Sequence, residues 1–539
     1  MIDAEIQRLA LGPADPVRLQ LEGLRDQIVN QATNAHQTAP TNQRVTQGQM
    51  KTLLQQHKSS TKNDIAQAFR TAAQNPAASP ALVRALDQAA RNVGDGMKAA
   101  RLTAMNTTQA WTPLHRTMVV TKDGESRSYT SSIIPASQSG GRVARQMGAL
   151  HGVSAGTKDD PTNARNLQVS QLTDSTGRVV HKSNRHGVLD PWALPANQRQ
   201  GAANTQADQV LHLAVESTTR FRDALLNDAN AGPPHRQFKH LHVNFNLTTP
   251  VDRVVAAYNE GSFTAHQFEG FASHNGAKSY TLDDPANGHQ DVPGPMVDVD
   301  TITFSFGVND LAQEPGKAPW NLILNEKAWA NVYEHDKANL QKLVGDLQPG
   351  TTVGGHMGEV MQRIDAAILA PPPPGAPPNY VQQLQAMKAD LTEQINISRQ
   401  IFTSGDFREG KGDPYKMVRH VMRAMDLAAQ ANDLMQDETH ALTQSQGCKS
   451  NKDRGGMMDV EIKAQAIIED MGGKVLPNAR FSEEDQRIYN TVLTSSGQDR
   501  NQQWNTGLPG SKNAKEAAPR INDEGAQEYA IAFASYVKA

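Results

Sequence analysis

A single cysteine in 539 residues leaves no intramolecular disulfide to be made. No run of about 18 apolar residues occurs, so no segment reads as a membrane-spanning helix. Aromatic residues make up only 5% and hydrophobic residues 38%. Part of the chain is therefore expected to be poorly packed or disordered. An excess of charge of one sign is missing too. Against 53 basic residues stand 56 acidic ones, a net charge of −3, which argues against a general nucleic-acid binder. Any affinity for anionic headgroups has to come from a local patch. The opening stretch MIDAEIQRLALG has neither a basic nor a long apolar region, so no cleavable signal peptide is expected. The sequence shows no internal repeat, and its length suffices for more than one domain and a large core.

What is present is concentrated around that one thiol. The stretch GCKSNKDRGGMMDVEIK, Gly447 to Lys463, places Arg454 six positions after Cys448. A Cys-x5-Arg loop can hold a phosphate. Backbone N–H groups of the intervening residues curl round the oxygens and the arginine clamps two of them. Lys449, Lys452 and Arg454 put three cations into six residues, offset only by Asp453. Met457, Met458, Val460, Ile462, Ile467 and Ile468 follow at mainly helical spacing. Arg454 is thus expected near a helix N-terminus, where partial positive charge favours thiolate and phosphate. The bland alternative is a cysteine serving as a small buried hydrophobe.

Along the chain, residues 1–80 are rich in Gln, Asn, Thr and Ala, with weak helical patches such as Val17 to Ile28. This reads as a solvated, partly disordered region. A firmer amphipathic helix is predicted from Ser79 to about Met105, with Leu82, Val83, Leu86, Ala89, Ala90 and Val93 on one face. Met118 to Val120, KDGE, and Ser128 to Ile134 predict a β-hairpin. NLQVSQLTD and GRVVHKSNRHGVLDPW read as strand and turn, and Gln206 to about Leu226 as a helix. In KHLHVNFNL, Leu241, Val243, Phe245 and Leu247 alternate with His240, His242, Asn244 and Asn246, which predicts a half-buried strand. His240 and His242 share one strand face as a metal half-site, but no nearby Cys, Asp or Glu completes it. Arg185 and His186 are read either as a catalytic pair or anion site, or as a structural pair, the usual role of a lone His beside an Arg in a strand-to-turn segment. MVDVDTITFSF, 296–306, predicts another strand, and APPPPGAPPN, 370–379, a stiff Pro-rich loop. Helices are expected to Leu369, from Tyr380 to about Thr403, and from Pro414 to Met435.

The loop and its flanks resemble the SopB/IpgD-type type III secretion effectors, inositol phosphate (phosphoinositide) phosphatases related to inositol polyphosphate 4-phosphatases. Their loop reads CKSGKDRTGMMD-x-EIK, against CKSNKDRGGMMDVEIK here. A second motif, F-N-x-G-V-N-E-L-A, is matched by FSFGVNDLA, Phe304 to Ala312. NRHGVLDPW, GDPYK at Gly412 to Lys416 and WNTGLPGSK at Trp504 to Lys512 continue the match in order. Three loop positions depart from it. Asn451 replaces glycine, Gly455 threonine, and Gly447 asparagine. Asparagine tolerates the positive-φ backbone that a glycine serves. The threonine hydroxyl normally bonds the cysteine sulfur. Its loss at Gly455 implies about 10- to 150-fold in rate.

The resemblance implies an α+β or α/β fold, a sheet flanked by helices, in a Cys-x5-Arg phosphatase domain spanning residues 111–539. Before it, residues 1–80 would carry a secretion signal and bind a chaperone, and residues 81–110 would form a helical region where the family binds a Rho-family GTPase, although no residue-level motif for that is present and a plain packing helix is the favoured reading. The implied function is that of a secreted virulence effector acting on phosphoinositides at host membrane surfaces, through a phosphocysteine at Cys448 and with no metal or cofactor. Arg454 would bind the phosphate oxygens, with Lys449, Ser450, Asn451, Lys452 and Gly455 lining the substrate. Asp453, the only carboxylate in the loop, is either the general acid or an ion-pair partner orienting a cation. Two other functions stay open, a phosphotransferase using the same cysteine and a binding protein whose weakened loop only holds phosphate.

Overall fold

The computed structural model describes residues 2–37, 47–96, 112–147, 163–187, 194–248, 260–307, 319–408, 415–448, 451, 453–477 and 479–498. Helices α1 (Ile2–Arg8), α2 (Pro16–Gln37), α3 (Gln47–Ala73) and α4 (Pro80–Arg91) come first. They share an apolar cluster that includes Ile6, Val17, Leu21, Phe69, Leu86 and Val93. The start of α4 follows from its sequence. Ser79 accepts the Leu82 N–H as N-cap and Pro80 occupies the first turn. Asn92 closes α4 after Arg91, helical backbone resumes over residues 93–96, and residues 97–105 of the expected helix lie outside the described residues.

The remaining chain builds an eight-stranded sheet among the described residues. The hairpin of β1 (Leu114–Lys122) and β2 (Glu125–Pro135) turns at Asp123 and Gly124, both at positive φ as a tight two-residue turn requires. After a short helix α5 (Gly141–Met147) come β3 (Arg165–Asp174) and β4 (Val179–Gly187). The helix expected from Gln206 is two, α6 (Ala196–Glu216) and α7 (Thr219–Ala231), broken where the Ser217 and Thr218 hydroxyls both bond the Ala214 carbonyl. Strand β5 (Phe238–Asn246), helix α8 (Glu260–Ala272), and strands β6 (Gly276–Asp284) and β7 (Gln290–Ser305) follow. Four helices then run in sequence, α9 (Pro319–Val344), α10 (Gly355–Leu369), α11 (Tyr380–Ser404) and α12 (Lys416–Met435), with the Pro-rich loop between α10 and α11. Strand β8 (His440–Cys448) inserts into the middle of the sheet, and α13 (Asp453–Asp470) and α14 (Glu483–Ser495) complete the described fold.

The strand order is β1-β2-β3-β4-β8-β5-β7-β6. Its centre, β4, β8, β5 and β7, is parallel, while β1 to β3 and the edge strand β6 pair antiparallel. Helices cover both faces. One layer joins α9 to α14 with Val243, Phe245, Ile302 and Phe304, and the other joins α6 to α8 with Val169, Phe238, Tyr280 and Val299. The fold is thus mixed α/β, a sheet between helices, as the sequence reading expected. Among the described residues no helix is long and apolar enough to cross a membrane.

Two strand readings need correction. Strand β5 is not half-buried but closed in on both faces, so its polar positions are interior as well. Strand β8 was not anticipated, because HALTQSQGC carries little apolar residue content to mark it. It is central nonetheless, and its polar side chains are tied to neighbours. Thr443 contacts His240 and His242 at 2.6 and 2.8 Å, and Ser445 contacts His242 and Asn244, each at 2.8 Å. Hydrogen bonds replace apolar packing there, and alternation of apolar residues cannot reveal it.

Candidate active site

Parallel strands gather their carboxyl ends along one edge, and the crevice outside that edge is where open α/β sheets place their ligands. Cys448 is the last residue of β8 and lies opposite Gly187 of β4, while Gly447 pairs with Asn246 of β5. The chain leaves this edge, turns at residue 451, and enters α13 at Asp453. Cys448 is buried. The strand–loop–helix arrangement aims a helix N-terminus at the loop, as the sequence reading expected for Arg454.

Arg454, in the first turn of α13, is held end-on by a carboxylate the sequence reading missed. Its Nη1 and Nη2 donate to the two Glu260 oxygens at 2.9 and 2.8 Å, and Nη1 also donates to the Leu247 carbonyl at 3.0 Å. Among the described residues those bonds use three of the five guanidinium N–H groups, leaving the Nε–Nη2 edge for an anion. Burial works against the charge, but Glu260 and the Cys448 sulfur outweigh it and hold the guanidinium more firmly protonated than usual. Glu260 opens α8, nearly 200 residues before Arg454, and no local sequence signal connects the two.

A second cation lies beneath the loop. Arg185 of β4 is fully buried and donates to the Asn451 carbonyl at 3.3 Å and to Gln498 Oε1 at 2.9 Å. Burial lowers its proton affinity, opposed by Asp459 at 3.4 Å and by the nearby Cys448. Asp459 is shared with Lys463, 3.0 Å away, and Lys463 also donates to Ser131 at 2.9 Å. All three ionic side chains are buried. Helix α13 is therefore interior on its polar face as well as its apolar one. Glu461 likewise pairs with Arg419 at 3.2 Å and accepts the Tyr489 hydroxyl at 2.7 Å. Of the Arg185 readings, the geometry gives a support for the loop from below. His186 packs against Gly447, where a Cβ would meet its Cε1 at 2.8 Å, and bonds Asn244 at 3.0 Å. Burial keeps that imidazole less basic than usual.

Asn451 adopts φ 52°, the left-handed backbone expected of the position. Its N–H reaches the Cys448 carbonyl at 3.3 Å and its Nδ2 the Asn166 carbonyl at 3.3 Å. Gly455 lies in the first turn of α13 beside it, and a Cβ there would run into Asn451 Oδ1. Lys449, Ser450 and Lys452 lie outside the described residues, as do Asn309, Asp310, residues 188–192 and residues 504–512 of the other motifs. Asp453 starts α13, and its side chain also lies outside them. The described structure thus brings together Cys448, Asn451, Arg454 and Gly455, with Glu260 and Arg185 added. His240 and His242 stand inside the sheet, hydrogen-bonded to Thr443, Ser445 and Tyr280. A cavity of about 600 Å³ is lined by the early residues of β4 and β8, including Lys182, His440 and Leu442, away from Cys448.

The model of the family described as "Enterobacterial virulence protein IpgD" matches residues 85–528. The inositol phosphate phosphatase IpgD of Shigella flexneri is 26% identical over 367 residues, covering 67% of this chain and 58% of that protein. The inositol phosphate phosphatase SopB of Salmonella typhimurium is 27% identical over 369 residues, covering 67% and 56% respectively. The match thus spans less than two thirds of these relatives' length. A solved Legionella phosphoinositide phosphatase superposes with a TM-score of 0.51 at 13% identity, covering 100% of this chain and 89% of that one, a likeness of fold. With the family model matching most of its length, the chain belongs to the IpgD family of enterobacterial virulence proteins.

Proposed function

We propose that this chain is a cysteine-dependent phosphatase of inositol polyphosphates and phosphoinositides. The observation that carries the reading is Cys448 at the carboxyl end of a central parallel strand, followed by a helix whose first turn holds Arg454 against Glu260 with one donor edge left over. The names of the relatives support the substrate class.

In the proposed reaction the Cys448 sulfur attacks phosphorus, forming an S–P bond as the bond to the leaving inositol oxygen breaks. Asp453 gives that oxygen a proton. Water then attacks phosphorus and gives its proton to the Asp453 carboxylate as the S–P bond breaks, releasing phosphate and returning the Cys448 thiolate. Arg454 and the loop N–H groups meet the charge on the equatorial oxygens. Lys449 and Lys452 neutralise neighbouring phosphates of the ring, so substrates with two or more phosphates are preferred. The family's secretion into host cells, a chaperone for residues 1–80 and a Rho-family GTPase for residues 81–110 belong to the same proposal, on the resemblance alone.

The test is Cys448→Ser, assayed for phosphate release from a panel of inositol phosphates, soluble phosphoinositides and phosphotyrosine peptides. The parent should turn over bisphosphorylated inositides fastest, and the variant should lose at least about 10³-fold, because a hydroxyl is a far weaker nucleophile at neutral pH. Equal turnover in both proteins ends the thiol mechanism, and faster turnover of the peptides ends the substrate reading.

A further inference from the structure

We propose that Asn451 and Gly455 form one steric unit that sets the shape of the phosphate-binding loop, with Asn451 as its positioning residue. The inference rests on the reading of this loop as the phosphate site, and it changes what the two departures from the family pattern mean. Taken singly, Gly455 looks like the loss of a useful side chain. In the structure the space that side chain needs is filled. A Cβ on Gly455 would overlap Asn451 Oδ1, with Asn451 Cγ next at 3.3 Å and Arg185 Nη2 at 3.9 Å.

Asn451 has little freedom to give way. Its side chain is fully buried, its carbonyl is held by Arg185, its N–H by Cys448 and its Nδ2 by Asn166. Among the described residues its Oδ1 is buried with no hydrogen-bond partner, an arrangement that costs free energy. That acceptor is retained at the point of closest approach to Gly455. The amide therefore acts as a filler that braces the turn at residue 451 against the first turn of α13, and the absence of a Cβ at 455 is what admits it. A side chain at 455 fits only if residue 451 has none. The exchange is reciprocal, so this loop is not a weakened copy with a missing hydroxyl but a differently packed one.

The test is a double-mutant cycle of Asn451→Gly, Gly455→Thr and the two combined. It is read by kcat/KM on a soluble bisphosphorylated inositide and by the inhibition constant of inorganic phosphate. That constant is independent of the folded fraction, so a loss of stability alone would not move it. Gly455→Thr should lower kcat/KM by roughly 100-fold and weaken phosphate inhibition by about 10-fold, from overpacking of the loop. Asn451→Gly should cost roughly 10-fold through the void it leaves. The combined variant should recover at least about 10-fold over Gly455→Thr, in both readouts. Losses that simply multiply in the combined variant overturn the proposal. Should Gly455→Thr not fold, a soluble combined variant supports the pairing and an insoluble one overturns it. Gly455→Ala, which adds only the Cβ, then supplies the kinetic arm, with the same rescue by Asn451→Gly expected. A parent that neither releases phosphate nor binds it removes the phosphate-site reading and this inference with it. An active parent with multiplying losses removes the pairing alone.

Discussion

The middle of β5 and β8 and their carboxyl ends are equally buried and equally polar, yet they are built from different chemistry. In the middle, His240, His242, Thr443 and Ser445 are hydrogen-bonded to one another and to Tyr280. Burial pushes both imidazoles down, His240 to about 3, so this ladder is uncharged at neutral pH. Around the carboxyl ends the neighbouring elements supply ionic groups, Arg185, Asp459 and Lys463 under the loop and Arg454 with Glu260 beside it. A neutral buried group needs only a partner, whereas a buried charge needs a counter-charge as well. The ionic solution is the costlier one, and of the two regions compared only the edge where Cys448 stands uses it. There the pairing also leaves one edge of Arg454 available, which the neutral ladder has no means to provide.

The comparison breaks most sharply at Asp459. It compensates both Arg185 and Lys463, and each of these holds it charged, below its usual proton affinity, against the effect of burial. Asp459→Asn keeps the shape but strands two buried cations. Removing one member of a buried charge network costs about 3–5 kcal/mol, and urea unfolding at pH 7 should show a loss of that size. A loss below about 1 kcal/mol would mean that the cations reach water or another carboxylate.

A smaller and purely functional effect is expected at Glu260. Glu260→Gln retains an acceptor for one Arg454 N–H but removes the charge and one arm of the clamp. If the clamp aims the free edge at phosphate, kcat/KM should fall by about 30- to 100-fold, the scale of a roughly 1 Å misplacement. Glu260→Asp should fall as far, since the shorter side chain cannot keep both bonds. Unchanged turnover in both variants would show that Arg454 finds its place without Glu260.

Much of this architecture could be read in advance where residues interact with sequence neighbours. Ser79 and Pro80 mark the start of α4, Asp123 and Gly124 the hairpin turn, and Cys448 with Arg454 the loop. Asn451 takes the backbone its side chain allows. What escaped detection depends on partners remote in sequence. Strand β8 looks like a polar linker until His240 and His242 are placed beside Thr443 and Ser445. Asp459, Glu461 and Lys463 look like the wet face of α13 until Arg185, Arg419 and Ser131 close over them. Glu260 has no local pattern at all. The Asn451–Gly455 contact lies only four residues apart, yet reading each position against glycine or threonine separately concealed it.

The neutral ladder offers the finest distinction, through pH. His240 titrates near 3 in the folded protein against an ordinary value of 6.5, first because burial penalises the cation and then because His212 and Lys278 repel it. Between those values the unfolded chain binds the proton and the folded one does not. Stability from this group is therefore intact above about pH 6.5 and is lost as pH falls through 6.5 toward 3. At pH 5.5, one unit below the unfolded value, the loss is about 1.4 kcal/mol. His240→Gln can still bond Tyr280 or Thr443 but cannot take the proton. Its stability at pH 7 should be lower than the parent's, since the ring's packing is lost. Between pH 7 and pH 5.5 it should then lose about 1 kcal/mol less than the parent. His242 remains in both proteins and its own acid sensitivity cancels in the difference. Urea unfolding at the two pH values measures that difference directly. Identical acid losses in the two proteins would mean that His240 takes up its proton as readily in the folded state as in the unfolded one, and the contrast between the two regions would lose its basis.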